Sequence, residues 1–321
     1  MVSREKTVNL KNKTTLHTIQ KSSGLPGLFS HCSIIIIVAT LIFSGAFAQP
    51  SKLINRNIDF TKLPDELGLS QSSINCILQD RDGYLWIATW SGLVRYDGYT
   101  TSIFHSGNGP GDIKSNLIST LFEDRTGNIW VGTHMGGLFL YNKRTNQFTN
   151  YKHNDTDLNS ISSNTIWKIN EDPVGNLWIA TENGLNFFNR QTRLFSSFLN
   201  DPLNPNSISG NFVTDVFFSH DGNLWIATDN GVNKLVQETH GRYSFERFYL
   251  EHGDGADNLT FSIEEVIENN NSAIWFITNK GLKRIYNGKL ENISDKNATS
   301  GCPLLRCMLK VKGENPFLLL G

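Results

Sequence analysis

The chain has 321 residues, 29 Lys+Arg against 30 Asp+Glu, and a formal net charge of −1. Residues 1–48 hold five of those cations and one of the acids, so without them the net charge is −5. That balance argues against a nucleic-acid surface, which needs concentrated positive charge to displace counterions from phosphate, and four cysteines are too few for a disulfide scaffold.

The leader carries Arg4, Lys6, Lys11, Lys13 and Lys21 and then an apolar run from Ser33 to Phe47 that closes on Ala46-Phe47-Ala48. This is the order of a secretory signal peptide with an A-x-A cleavage site, and the run is short for a membrane span. Residues 1–48 are therefore expected to be a signal peptide, with an uncleaved anchor as the alternative, and the mature chain to be periplasmic. Residues 49–71 form a lead-in. Within it Arg56-Asn57-Ile58-Asp59-Phe60 resembles an outer strand that would join the ends of a ring.

From residue 72 one phrase recurs. Its copies are Gly83-Tyr84-Leu85-Trp86-Ile87-Ala88-Thr89, Gly127-Asn128-Ile129-Trp130-Val131-Gly132-Thr133 and Gly175-Asn176-Leu177-Trp178-Ile179-Ala180-Thr181. Gly222-Asn223-Leu224-Trp225-Ile226-Ala227-Thr228 and the weaker Ser272-Ala273-Ile274-Trp275-Phe276-Ile277-Thr278 complete the set. The tryptophans are 44, 48, 47 and 50 residues apart, a period that signals a β-propeller. Each unit reads as four strands. An apolar strand comes first, for example Ile118–Phe122. A tight turn follows in which Asp80, Asp124 or Asp172 lies three residues before a glycine that supplies positive φ. The Trp strand ends at Thr, and a loop closes on Gly92, Gly136, Gly184, Gly231 or Gly281. Third strands run through Leu93–Tyr96, Leu138–Tyr141, Leu185–Phe188 and Leu282–Tyr286. Fourth strands contain Phe148–Tyr151, Phe195–Phe198 or Phe245–Tyr249.

The fold class is thus all-β, a propeller with five full blades over 72–294 and part of a sixth over 295–321, an incomplete ring. Trp86, Trp130, Trp178, Trp225 and Trp275 are structural, since a large aromatic at a fixed place in every blade packs between neighbours. Leu304–Val311 reads as an inner strand, and Gly313–Gly321 imitates the Trp phrase with Phe in place of Trp. If each bare blade face of an open ring exposes on the order of 400 Å² of apolar surface, the loss is roughly 10 kcal/mol per face. The chain is therefore expected to be a truncated piece of a longer reading frame, completed by the same or another chain. Cys76 should pack as a small hydrophobe, while Cys302 and Cys307 could bridge. No metal-ligand constellation and no cofactor motif is present.

The unit Asp-x-x-Gly-Asn-Leu-Trp-Ile-Ala-Thr-x-x-Gly-Leu, with Asn-Ser-Ile-Ser at Asn159–Ser162 and Asn206–Ser209, resembles the two-component regulator propeller repeat. The resemblance covers about residues 55–321. It implies the periplasmic sensor region of a hybrid histidine kinase, often one that detects oligosaccharides. Such a parent would add further propeller blades, an immunoglobulin-like domain, a membrane helix and a kinase, none of which this sequence contains. The implied partners are an oligosaccharide or similar small ligand, those missing regions of the same or another chain and a homodimer mate, with no nucleic acid.

Strand direction places the loops after the Trp strands on one end of the disc and the Asp-x-x-Gly turns on the other. The candidate ligand residues are the variable loop positions Trp90, His134, Glu182, Asn183, Asp229, Asn230 and Lys280, whose aromatic, acidic and amide groups suit sugar rings. Trp167 reads as packing. No catalytic residue is assigned, and the chain is not expected to be an enzyme. A secreted propeller glycoside hydrolase or lyase is the rival. Paired carboxylates are what hydrolysis usually needs, and sialidase Asp-boxes place Asp two residues before Gly rather than three. A protein-binding propeller scaffold is the third reading.

Overall fold

The structure is a computed structural model that describes residues 73–237, 243–249, 259–268, 271–293, 305–309 and 317–320. The chain divides into two units, Met1–Thr61 and Lys62–Gly321. The leader, the lead-in strand and Cys302 lie outside the described residues.

Every regular element among the described residues is a strand. Blade I consists of β1 (Ile74–Gln79), β2 (Leu85–Thr89), β3 (Gly92–Tyr96) and β4 (Thr101–Phe104). Blade II has β5 (Ile118–Glu123), β6 (Ile129–Thr133), β7 (Leu138–Asn142) and β8 (Gln147–Tyr151). Blade III has β9 (Ile166–Glu171), β10 (Leu177–Thr181), β11 (Gly184–Asn189) and β12 (Leu194–Phe198). Blade IV has β13 (Val213–Phe218), β14 (Leu224–Thr228), β15 (Gly231–Gln237) and β16 (Tyr243–Phe248). Blade V has β17 (Thr260–Glu268), β18 (Asn271–Thr278), β19 (Gly281–Tyr286) and β20 (Lys289–Asn292). Each is a four-stranded antiparallel sheet in sequence order. A further hairpin, β21 (Leu305–Leu309) with β22 (Phe317–Leu320), pairs in the same register, Leu309 opposite Phe317 as Leu78 is opposite Trp86. The outer strands β4 and β20 are additions to the strands read from the sequence. A correction concerns blade II, where the loop closes on Gly137 rather than Gly136: Thr133 Oγ1 donates to the Gly137 carbonyl, as Thr89 and Thr181 do to Gly92 and Gly184. The loop is one residue longer there, and Met135 takes up the extra residue at φ 71°.

The first strand of every blade slips register by one residue against the Trp strand, at Asn75, Ser119, Trp167, Thr214 and Phe261. A bulge of this kind bends a strand and raises its twist. It also turns the bulged side chain toward the next blade. Asn75 Nδ2 donates to the Ile118 carbonyl at 2.7 Å, Ser119 Oγ to that of Ile166 at 2.5 Å and Thr214 Oγ1 to that of Thr260 at 2.5 Å.

The core lies between blades. Trp86 packs with Ile118, Leu121 and Val131 of blade II, Trp130 with Ile166 and Ile179 of blade III, Trp178 with Val213 and Ile226 of blade IV, and Trp225 with Ile263 and Phe276 of blade V. Burial of such apolar surface is the dominant favourable term in folding. The first strand of blade I has no blade before it among the described residues, and Ile77 is 57% exposed, whereas its counterpart Leu121 is 6% exposed. Cys76 packs against the core between blades I and II.

At the turns, the Asp does more than cap backbone N–H groups. Asp80 Oδ1 accepts from the amides of Asp82 and Tyr84, while Oδ2 accepts the indole N–H of Trp86 at 2.9 Å. Asp124 treats Thr126, Asn128 and Trp130 in the same way, with the indole at 2.8 Å. The turn glycines supply the left-handed backbone, Gly83 at φ 91° and Gly127 at 84°. Blade IV has Ser219 in place of Asp, and the indole nitrogen of Trp225 is buried with no protein partner. Ser219→Asp is therefore expected to stabilise the chain by about 1 kcal/mol by supplying that acceptor. Blade I already tolerates Asp80 beside Asp82 next to Lys143, and in blade IV Lys234 lies 5.7 Å from the Trp225 ring. Equilibrium unfolding in urea checks this; a destabilised variant would refute it.

Candidate functional site

The two ends of the disc differ in chemistry. At the Asp-x-x-Gly end, charged groups tie blade I to II, blade II to III and blade IV to V. Arg81 pairs with Glu123 at 2.9 Å and reaches the Asp124 carbonyl at 2.7 Å. Arg125 pairs with Glu171 at 3.1 Å and reaches the Asp172 carbonyl. Arg190 returns from blade III to Asp124 at 2.9 Å. His220 takes the arginine position in blade IV and binds Glu265 at 2.7 Å. Burial alone would raise the Glu265 carboxyl, but hydrogen bonds from Ser272 and His220 hold it below the ordinary glutamate value. All of these groups are engaged in holding blades together.

The opposite end carries the loops after the Trp strands. There the loop amide bonds the carbonyl of the residue entering the first strand of its own blade: His134 N–H donates to Leu117, Glu182 to Thr165, Asp229 to Phe212 and Asn279 to Leu259. Glu182 and Asn183 are exposed. Asp229 is exposed as a residue, yet desolvation of its carboxyl lifts its pKa above the ordinary aspartate value. Asn230 Nδ2 donates to the Ser209 carbonyl, so that side chain is partly committed to holding the loop. The Lys280 amide bonds Thr278 Oγ1.

Two of the seven candidates meet. Trp90 and His134 have ring centroids 6.2 Å apart, and His134 stands edge-on to Trp167 at 5.5 Å. Trp167 packs in turn on Phe212 at 5.6 Å. The sequence reading gave Trp167 to packing; the structure has it both packing and walling a cavity. That cavity, 240 Å³, is lined by Asn75, Trp90, Leu117, Ile118, Ser119, His134 and Trp167. Trp167 holds the bulge position that bears a hydrogen-bonding latch in blades I, II and IV. That replacement is the signal by which sequence comparison could have found it. His134 Nδ1 and Trp167 Nε1 are buried without protein partners. Glu182, Asn183, Asp229, Asn230 and Lys280 do not line this cavity.

A larger cavity, 480 Å³, runs along the outer strand of blade IV between Val236, Phe245 and Arg247. The Arg247 guanidinium is already engaged by the carbonyls of Ser207 and Asn204, so we place the candidate site at the aromatic cavity. Among the described residues no cluster of His, Cys, Asp and Glu could hold a metal ion. No helix among them is long and apolar enough to cross a membrane.

Comparison with known proteins agrees with the repeat geometry. Histidine kinase P4 of Formosa agariphila is 38% identical over 78 residues, 24% of this chain and 6% of that protein. The extracellular domain of a hybrid two component system from B. thetaiotaomicron superposes with a TM-score of 0.54 at 24% identity, over 70% of this chain and 30% of that one. A second such domain from the same organism gives 0.50 at 21% identity, over 80% and 40%. This chain thus spans a minor part of each of these relatives, and the structural matches bear on fold. Residues 68–91, 112–135, 160–183 and 207–230 match the family described as Two component regulator propeller. Each segment runs from the approach to a blade's first strand to the loop after its Trp strand, so the chain carries two-component regulator propeller repeats, one in each of its first four blades.

Proposed function

We propose that this chain is part of the ligand-sensing input of a two-component sensor histidine kinase, located outside the cytoplasmic membrane and binding an oligosaccharide without turning it over. The observation that carries this reading is the fourfold match to the two-component regulator propeller repeat. The remaining blades, an immunoglobulin-like domain and the kinase would come from the rest of such a parent. A ligand can shift a signalling equilibrium only through different affinities for its two states, and those regions would supply the second state. Loop groups such as Glu182, Asn183 and Asp229 on the end bearing Trp90 and His134 add acceptors and donors for sugar hydroxyls.

A secreted hydrolase or lyase is the weaker reading, because the aromatic cavity is lined by no carboxylate. The test is thermal unfolding of the full chain against enzymatic digests of neutral and acidic polysaccharides, with reducing ends assayed in parallel. The expected result is a rise in unfolding temperature with one digest and an unchanged reducing-end count. Turnover would replace the sensor reading with the enzyme, and no shift with any digest would leave a protein-binding scaffold.

A further inference from the structure

We propose that the cavity walled by Trp90, His134 and Trp167 holds one uncharged sugar ring, its apolar face against the aromatic walls and its hydroxyl edge toward the mouth. The chain would then read the terminal residue of its ligand rather than an interior stretch. This deepens the sensor reading and rests on it for its biological meaning.

Three successive blades each contribute one wall, so the cavity is built by the arrangement of blades and not by one loop. Its volume of 240 Å³ is below the roughly 300–1,000 Å³ typical of pockets for drug-sized ligands, which leaves room for one ring. No Asp, Glu, Lys or Arg side chain lines it. Asn75 and Ser119 spend donors on the carbonyls of Ile118 and Ile166. An ionic ligand would therefore find no permanently charged partner there, and burial of an unpaired charge is penalised heavily. Trp90 is 45% exposed at the rim, so one side of an occupant stays wet. An amphipathic ring with an apolar face and a polar edge satisfies both conditions.

The choice of Trp at position 167 points the same way. Blades I, II and IV place Asn75, Ser119 and Thr214 at this bulge and gain a hydrogen bond to the next blade. Blade III forgoes that bond and leaves the Trp167 indole nitrogen buried without a partner, as is the nearby His134 Nδ1. Buried polar groups are ordinarily hydrogen-bonded. A ligand hydroxyl that reached either nitrogen after a small ring rotation would make good the deficit.

The experiment labels the full chain with 5-fluorotryptophan and follows its seven Trp resonances by fluorine NMR, each assigned by a Trp→Phe substitution. Probes are methyl glycosides of the common neutral hexoses and pentoses, with glucuronate and tetramethylammonium as charged controls. At least one neutral glycoside should shift Trp90 and Trp167 together while leaving Trp86 and Trp178 in place. Trp167→Thr, which installs the blade IV latch residue, should weaken that binding about tenfold or more without lowering the unfolding temperature. If that variant unfolds, Trp90→Ala at the exposed rim must show the same loss. The proposal is overturned if no neutral glycoside moves either resonance, if a charged control binds as well, or if binding survives both substitutions. Glycoside binding at Trp90 and Trp167 with no digest-induced thermal shift would uphold the cavity and remove the sensor reading. A digest-induced shift that persists in Trp167→Thr and Trp90→Ala would do the opposite.

Discussion

Trp130→Ala is expected to bring the chain close to unfolding at room temperature. The side chain is 2% exposed and packs against Tyr151 at 5.8 Å and Phe188 at 5.5 Å between ring centroids. Truncating a buried Trp to Ala typically costs about 3–5 kcal/mol through lost transfer energy and the residual cavity. Here the substitution also strips the Asp124 carboxylate of its indole donor, a buried loss of about 1–3 kcal/mol. Against a typical domain stability of about 5–15 kcal/mol, little remains. Trp130→Phe keeps most of the packing and should lose roughly 1–2 kcal/mol, whereas Trp90→Ala at the exposed rim should stay within about 0.5 kcal/mol. Urea unfolding of the three variants checks the order. Equal effects at positions 130 and 90 would mean that the repeated tryptophan is not the inter-blade core.

The second large effect belongs to Asp124. Its carboxylate is fully buried and receives the amides of Thr126 and Asn128, the indole of Trp130 and the guanidinium of Arg190 at 2.9 Å. Burial alone would raise its pKa. Hydrogen bonds from Thr126, Trp130 and Asn128 outweigh that and bring it down from 3.8 to about 2. A carboxylate depressed in the folded state contributes stability above its unfolded value and loses it as pH falls through the folded value. The contribution, on the order of 2 kcal/mol at neutral pH, should therefore disappear between about pH 4 and pH 2. Asp124→Asn places an amide N–H₂ against groups that are themselves donors and takes one of two carboxylate partners from the part-exposed Arg190, which keeps Glu171 at 3.2 Å, so it should cost about 2 kcal/mol at pH 7. The difference between the two proteins should narrow across the acid window. Unfolding free energies from pH 7 down to pH 2 would show it, and a gap that stays constant would exclude Asp124 as the source of acid sensitivity.

The period of the tryptophans was enough to read the blades, since a Trp every 44–50 residues has no place in a helical repeat with these turns. Strands with aromatic or β-branched ends were readable for the same reason. The outer strand of blade I, Thr101–Phe104, and that of blade V, Lys289–Asn292, were not, because an edge strand half open to water needs no strict apolar alternation. Gly136 and Gly137 could not be told apart by spacing; the Thr133 hydroxyl selects Gly137. The indole–carboxylate bond joins residues six apart across a hairpin, as Asp80 to Trp86, a separation that reads as unrelated until the turn is closed. Trp167 illustrates the limit most directly. Period-two alternation predicts the face of a side chain only while the register holds, and the bulge in β9 breaks it at that residue. Loop positions such as Glu182 and Trp90 were legible as a common end of the disc, but which of them converge depended on distances no sequence carries.

The seam between blades III and IV differs from its neighbours at both ends. At one, Trp167 stands where a bulge residue elsewhere bonds the following blade; at the other, Pro173 and Phe218 stand where Arg125 and Glu171 pair across the preceding seam. Neither latch joins III to IV among the described residues. Contact there is largely apolar, centred on Trp178, Phe198 and Tyr243, with Asn170 bonding the Val216 carbonyl at 3.3 Å, the Gly184 amide bonding the Asn211 carbonyl at 2.6 Å and Lys168 lying 4.0 Å from Asp215. Apolar packing is non-directional, so this boundary resists separation well but sliding poorly. This seam therefore depends more on the fit of its aromatic side chains than the preceding one does, where Arg125–Glu171 and Arg190–Asp124 add close ion pairs.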